Sequence, residues 1–340
     1  MAAHTDFDYL HSLAVSSHDH NILERIRRDR DTLLSGGMLP ESGERLSLSL
    51  WDPDDAGGTA TPGQAAPGMP GRAAEASLRA VAGAPGQPVA GVSGRALAPT
   101  PKGILRLTLR SDLAPASLDT FLEIFRDHAH ARAEGFRPDD LGGADGAGGG
   151  PMVVDLGANE GFYTLRMKRR NPALRIVAVE AVAVNIDLLL ENLGANGLHG
   201  VETLAAAVVD PEGAREGVLE LETYPHVGTI ASRDLTGFPR PWIRPERIRT
   251  ERVPAVSLSE VLRQYRIEEA ALLKVDIEGS EVDALSAEPS ELRRFERIVV
   301  ECHGAAARER CAAPLDAAGF DLLVAEEKRS GDCYFRRRSE

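Results

Sequence analysis

Apolar residues near the start of the chain fall at Phe7, Leu10 and Leu13, then at Ile22, Leu23 and Ile26, then at Leu33 and Leu34, with polar and charged residues between them. This is helical spacing, and it predicts one or two amphipathic helices in a helical N-terminal extension over residues 1–50. Arg25, Arg27, Arg28 and Arg30 are interleaved with Glu24, Asp29 and Asp31, so the basic run reads as a solvated helix face. The periodicity then stops. Glycine, alanine and proline supply 30 of the 49 residues from Pro53 to Pro101, which leaves too few large apolar side chains for a core and predicts a flexible linker over 51–102. Order resumes at Ile104–Arg110, where alternation puts Leu105, Leu107 and Leu109 on one face of a strand. Ser117 reads as the N-cap of a helix through Phe121, Leu122, Ile124 and Phe125 to about Ala133, and Gly142–Gly150 as a hinge closing this lead-in over 103–150.

From residue 151 to 340 strand-like and helix-like stretches alternate. Met152–Val154 is a short apolar run, followed by a helical Phe162–Arg170, a strand Arg175–Glu180 and a helix from Asn185 to about Gly194. Val201–Val209 and Gly217–Glu222 read as strands, Leu258–Tyr265 as a helix and Leu272–Ile277 as a strand. Arg297–Cys302, Gly319–Val324 and Cys333–Arg337 read as the last strands. Between them, Phe238–Pro254 is rich in proline and arginine, with Arg240, Arg244, Arg247, Arg249 and Arg252 around Trp242. It is open to two readings, a solvated loop or a wall for a substrate carrying an anionic group.

A formal net charge of -13 and a pI near 5.3 argue against a general nucleic-acid binder, which needs a basic face to displace phosphate counterions. No apolar run reaches transmembrane length and none near the start has the pattern of a secretory signal, so no membrane role is expected and the expected location is the cytoplasm. Cys302, Cys311 and Cys333 show no C-x-x-C spacing and read as reduced thiols.

Two stretches carry chemistry. The first is Val153-Val154-Asp155-Leu156-Gly157-Ala158-Asn159-Glu160-Gly161, a strand passing through a glycine turn into a helix, where backbone amides stand ready for a ligand. It is not the dinucleotide fingerprint G-x-G-x-x-G, because Asn159 and Phe162 stand where glycines are required. Glu180 ends the next strand about 20 residues on, the place from which an acid accepts ribose hydroxyls. The second stretch is Leu272-Leu273-Lys274-Val275-Asp276-Ile277-Glu278-Gly279-Ser280-Glu281. Strand alternation puts Lys274, Asp276 and Glu278 on one face, and a structural ion pair is the alternative explanation for the first two. His303 follows another strand at its carboxyl end, where parallel sheets bind ligands; the other eight histidines read as structural.

The order D-x-G-A-N-x-G, followed by L-K-x-D-x-E-G-x-E, resembles the two signatures of the FkbM-type family of class I S-adenosylmethionine-dependent methyltransferases. Glu180, with Asn185, Asn192 and Asn196 behind it, is similar to the family's E-P-x-P-x-N stretch, with Ala181 and Ala183 in place of the two prolines. The resemblance covers roughly the last two-thirds of the chain. It implies an α/β, doubly wound, Rossmann-like sheet of seven strands, six parallel and one antiparallel, with S-adenosyl-L-methionine as cofactor. It implies further that Asp155, Gly157, Asn159, Gly161, Glu180 and Asn185 frame the cofactor, that Ala207 borders the adenine together with Ala206 and Asp210, and that Asp276 lies near the methionine end. His303 or Glu278 is then the candidate base, and Lys274 an orienting or charge-balancing partner. A Mg²⁺ ion between Asp276 and Glu278 would suit their oxygen ligands, but two carboxylates on one strand are thin evidence and no metal is assigned. The acceptor implied is a hydroxyl on a small molecule such as a sugar or secondary metabolite. The alternatives are a non-catalytic scaffold of the same fold and a nicotinamide-dependent oxidoreductase, the latter disfavoured by the missing glycines.

Overall fold

The computed structural model describes residues 6–34, 44–55, 103–142, 149–224, 231–232, 248–327 and 330–339. Residues 56–102 of the expected linker, most of the hinge, and Arg240, Trp242, Arg244 and Arg247 lie outside the described residues. The chain opens with α1 (Phe7–Leu13) and α2 (Ser17–Leu34). Asp6 caps α1 by accepting the Tyr9 amide at 2.9 Å, and Leu10, Leu23 and Ile26 are wholly buried.

The expected helical extension is only partly helical. Leu46, Leu48 and Leu50 alternate with Ser47 and Ser49 on a strand, β1 (Arg45–Trp51), which pairs antiparallel with β2 (Ile104–Arg110) from Arg45 opposite Arg110 to Trp51 opposite Ile104. On its other side β2 meets a helix described below, whose Asn192 and Asn196 side-chain carbonyls accept the Thr108 and Arg106 amides at 2.7 and 3.0 Å. Strand β2 leads to α3 (Ala114–Phe125). Ser117 is not its N-cap. Pro115 favours an earlier start, and the Ser117 hydroxyl donates instead to the Glu160 carboxylate at 2.7 Å. The helix also stops short of Ala133, because His128 and His130 take left-handed backbone angles (φ 57° and 61°). Leu10, Ile26, Leu48, Leu107, Phe121 and Phe162 share one core, so the N-terminal segment covers a face of the main sheet.

The main sheet begins with β3 (Met152–Leu156), α4 (Phe162–Arg170), β4 (Arg175–Glu180), α5 (Ala183–Ala195) and β5 (Val201–Ala205). The single strand expected over Val201–Val209 breaks at Ala206, whose amide donates to the Glu180 carbonyl at 3.0 Å. Beyond the break, β6 (Ala207–Val209), α6 (Pro211–Glu216), β7 (Val218–Thr223), β8 (Ala231–Ser232) and β9 (Arg249–Ser257) build a smaller sheet in the order β6-β9-β7-β8. The chain returns through α7 (Leu258–Gln264), β10 (Ala270–Val275), α8 (Glu281–Ala284), α9 (Pro289–Leu292), β11 (Phe295–Cys302), α10 (Ala305–Ala317), β12 (Phe320–Ala325) and β13 (Gly331–Arg337). The seven strands lie in the order β12-β13-β11-β10-β3-β4-β5, with β13 antiparallel to both neighbours and the rest parallel. Val153, Ile176, Leu272 and Val299 enter the core on one face, and Val154, Val177, Leu273 and Ile298 enter the core on the other, which is why these strands read as nearly continuous apolar runs. The chain leaves β3 toward β4 on one side and returns as β10 on the other. A crevice therefore opens at the carboxyl ends of β3 and β10.

The Asp52 amide donates to the Gly103 carbonyl at 2.8 Å, so the chain on either side of segment 56–102 is held together. Replacing that segment with a turn of about five residues is expected to keep the β1–β2 register and stabilise the fold by roughly 2 kcal/mol, the loop-closure difference. Removing residues 1–102 altogether should instead uncover Leu105, Leu107 and Leu109. Denaturant midpoints and light scattering of the two variants measure both effects.

Candidate active site

Three left-handed residues shape the turn after β3, namely Gly157 (φ 76°), Asn159 (φ 51°) and Gly161 (φ 82°). A Cβ at Gly157 would lie 1.7 Å from the Asp276 carbonyl oxygen, and one at Gly161 would lie 2.7 Å from Leu189 Cγ. Close approach to the end of β10 and to α5 thus demands these glycines. Glu180 organises the far side of the turn. Its Oε2 accepts the Asn159 amide at 2.9 Å, and its Oε1 accepts the Val182 amide at 2.8 Å and the Asn185 side-chain amide at 3.3 Å. Three donors leave the carboxylate capacity for one more, and the buried Asn159 Oδ1 has no partner among the described residues. Burial raises the Glu180 pKa. Ala207 is buried beside this turn, packed with Val182, Leu221 and Val253 as an apolar wall. Asp210 caps α6, accepting the Glu212 and Gly213 amides at 2.9 and 2.8 Å.

On the other side of the turn stands a charged cluster. Lys274 Nζ lies 3.1 Å from Asp155 Oδ1 and 3.6 Å from Asp276 Oδ2, and donates to the Gly157 carbonyl at 2.6 Å. The Thr164 hydroxyl donates to Asp155 Oδ2 at 2.6 Å. Asp155, 0% exposed, therefore braces the turn from beneath. Burial alone would lower the Lys274 pKa, but Asp155 and Asp276 outweigh it and the pKa is raised. Lys274 is a fixed cation.

The expected alternation breaks after Asp276. Strand β10 ends at Val275, and Glu278 takes a left-handed angle (φ 51°) that turns it out of the strand face and toward His303. His303 Nε2 lies 3.7 Å from Glu278 Oε2 and 3.9 Å from Glu281 Oε1, and its Nδ1 is 3.2 Å from the Ser330 hydroxyl. Burial pushes Glu281 up to about 7.

A second histidine, His130, belongs to the cluster although its sequence suggested a structural role. It follows α3 in a loop, with Nδ1 2.8 Å from Asp332 Oδ1 and Nε2 3.4 Å from Asp276 Oδ2, while its amide donates to Asp332 Oδ2 at 2.8 Å. No local motif marks it, since Asp332 lies 202 residues away. Burial alone would lower the His130 pKa, but Asp332 and then Asp276 raise it to about 10. Against their own burial, Lys274 and His130 hold Asp276 well below the usual carboxylate range, and His130 holds Asp332 at about 2. Burial, then the Asp276 charge, push Glu301 well above its ordinary value. The cluster thus sets an Asp276 that gives up its proton readily beside a Glu301 that holds its proton more tightly than an ordinary carboxyl.

These shifts predict a pH signature. His130 binds its proton more tightly in the folded state, so its contribution to stability is full below about pH 6.5 and is lost as pH rises through about 10. Asp332 contributes above about pH 3.8 and loses its contribution as pH falls through about 2. His130→Gln is expected to be less stable than the parent by a few kcal/mol between those limits, with the gap closing toward pH 10. Denaturant titrations across pH measure it.

The family model described as "Methyltransferase FkbM domain" matches residues 155–325. That span holds every site residue expected from sequence, and leaves His130 and Asp332 outside. Methyltransferase sdnD of Sordaria araneosa is 30% identical over 226 residues, covering 59% of this chain and 81% of that protein. Methyltransferase 1 of Beauveria bassiana (strain ARSEF 2860) is 27% identical over 187 residues, 51% of this chain and 73% of that one. Among solved structures, Aeropyrum pernix fibrillarin in complex with S-adenosyl-L-methionine aligns at 13% identity over 55% of this chain and 66% of its own, with a TM-score of 0.35.

Proposed function

Since the chain belongs to the FkbM methyltransferase family, we propose that it transfers a methyl group from S-adenosylmethionine to a hydroxyl of a small molecule such as a sugar or secondary metabolite. The residues present fit that cofactor. Glu180 keeps one acceptor site and Asn159 Oδ1 is a buried acceptor without a partner, so the two would hold ribose hydroxyls, with Val182 and Ala207 as the apolar wall for the adenine. Asn185 fixes the Glu180 carboxylate, and Asp155, Gly157 and Gly161 fix the turn. When bound, the cofactor supplies a methyl group on a sulfonium that is already electrophilic.

Alignment of the acceptor and exclusion of water remain for the protein, together with removal of the hydroxyl proton. Asp276, kept anionic by Lys274 and His130, faces the place where a cationic group is welcome. His303 Nε2 takes the proton from the acceptor hydroxyl, and the Glu278 carboxylate 3.7 Å away stabilises the imidazolium that results. With Asp276 and Glu278 on its walls, the crevice favours a neutral acceptor over an anionic one. The observation that carries the reading is the His303–Glu278 pair, set at the carboxyl ends of β11 and β10, on the same edge of the sheet as the open acceptors of Asn159 and Glu180.

Calorimetric titration with S-adenosylmethionine tests the cofactor half. Glu180→Ala is expected to weaken binding by about 1.5 to 3 kcal/mol, tenfold or more. Parental affinity in a folded variant would remove Glu180 from the site. The acceptor half is tested by incubating the enzyme with cell extracts and searching for products about 14 Da heavier, the mass of one added methylene. Products methylated only on nitrogen or carbon would overturn the hydroxyl assignment.

A further inference from the structure

At the opposite end of the sheet from the crevice, a cavity of about 670 Å³ is lined by Arg293, Arg297, Arg336, Arg337 and Arg338, with Glu296 the one acidic residue on its wall. Arg297 precedes His303 by six positions along β11, which places this cavity roughly 20 Å from the proposed base. It is a strong local concentration of positive charge in a protein whose formal net charge is -13. Acids stand beside some of these arginines: Arg338 is paired with Asp316 at 2.8 Å and Asp321 at 3.5 Å, Asp321 is also the cross-strand neighbour of Arg336, and Arg297 reaches Glu296 at 2.7 Å. Arg293 donates to the Ala318 carbonyl at 2.9 Å, Arg337 to the Arg293 carbonyl, and Arg336 to the Glu134 carbonyl at 3.5 Å. Backbone oxygens orient those three guanidinium groups without neutralising them.

Two of the groups converge. Arg297 and Arg336 are cross-strand partners on β11 and β13, and a Cβ placed on Gly135 would lie 2.5 Å from Arg336 Nη2 and 3.4 Å from Arg297 Nε. Arg297 Nε is buried and has no hydrogen-bond partner among the described residues. Crowded guanidinium groups repel one another unless an anion lies between them. Their planar forks match the paired oxygens of a phosphate, which a compact carboxylate uses less fully when several forks surround it.

We propose that this cavity is a second ligand site, one that binds a small molecule through a diphosphate or triphosphate group. Arg297 and Arg336 grip one phosphate, and Arg293 and Arg337 neutralise the next. Free inorganic polyphosphate and the phosphate tail of a nucleotide share this chemistry. The site is separate from methyl transfer and does not depend on the acceptor assigned above.

The test is titration of the full chain with pyrophosphate, triphosphate and ATP at physiological salt, read by calorimetry. Saturable binding is expected, weakened at least about tenfold in an Arg297→Gln, Arg336→Gln double variant and only partly restored when both are lysine, which keeps the charge and loses the fork. Arg215→Gln, a surface control on α6, should leave binding unchanged. Thermal melts identify any variant that fails to fold, and for these the single Arg337→Gln replaces the pair. Tighter binding of ATP than of triphosphate assigns a nucleotide, and equal binding assigns the phosphate chain alone. Absence of saturable binding to all three, or parental affinity in the folded double variant, overturns the proposal. So does saturable binding of a short single-stranded RNA with no binding of the small anions, which would assign the cavity to a polymer.

Discussion

Turnover of a His303→Asn variant is expected to fall about 10²- to 10⁴-fold, the usual worth of a positioned base, while affinity for S-adenosylmethionine stays nearly unchanged. Asparagine is polar and close in shape, but it cannot take a proton from an alcohol. The rising limb of the pH-rate profile should therefore disappear with the imidazole. The structure narrows the rivals. Asp276 is held ionised by Lys274 and His130 and has little affinity for a proton, and Glu301 holds its own proton more tightly than an ordinary carboxyl. Glu278 remains, because its carboxylate lies 3.7 Å from His303 Nε2 and could take the same proton. Its neutral isostere decides between them. If Glu278→Gln abolishes turnover while His303→Asn retains the parental rate, the base is Glu278 and the histidine only orients it. Loss in both variants fits the pair acting together, with the larger loss marking the group that receives the proton.

Lys274→Met should destabilise the protein by about 3 to 5 kcal/mol, because removing one partner of a buried pair leaves an uncompensated charge. Asp155 is 0% exposed, and after the substitution it would keep only the Thr164 hydroxyl. Adding Asp155→Asn to Lys274→Met should recover much of the loss, since neither buried position then carries a charge. Urea midpoints of the parent, the two single variants and the double variant measure the coupling. Additive losses would show that Lys274 and Asp155 do not support one another and would assign Lys274 chiefly to Asp276. Both variants are expected to lose cofactor binding as well, because Lys274 also holds the Gly157 carbonyl at 2.6 Å and with it the turn.

The turn was legible because it is local. A strand, two glycines and a helix start lie within a dozen residues, and Glu180 lies at the end of the next strand in sequence, so the spacing alone brings the acid to the Asn159 amide. His303 was legible for a similar reason, as the residue after an apolar strand in a parallel sheet. Glu278 shows the limit of such reasoning. Period-two alternation holds only while the chain stays extended, and a left-handed angle at Glu278 itself turns it from the face of Lys274 toward His303. Strand β1 shows another limit, since Leu46, Leu48 and Leu50 carry a clear alternation but their partner strand lies beyond a long segment without core residues.

Periodicity was thus sufficient for the alternating strands and helices and for the turn, because side-chain direction and hydrogen bonding within one strand or helix depend on neighbours a few positions away, while the parallel sheet and most of the residues around the turn came from the resemblance that the two short signatures carry. What only the folded molecule decided were pairings between distant segments. His130 meets Asp332 across 202 residues and, after Lys274, helps to hold the charge on Asp276. Arg297 meets Arg336 over Gly135, and Gly157 is required by a carbonyl on a different strand. Such contacts follow from which strands lie side by side and in what register, and protonation follows in turn from the burial and charge that those contacts create.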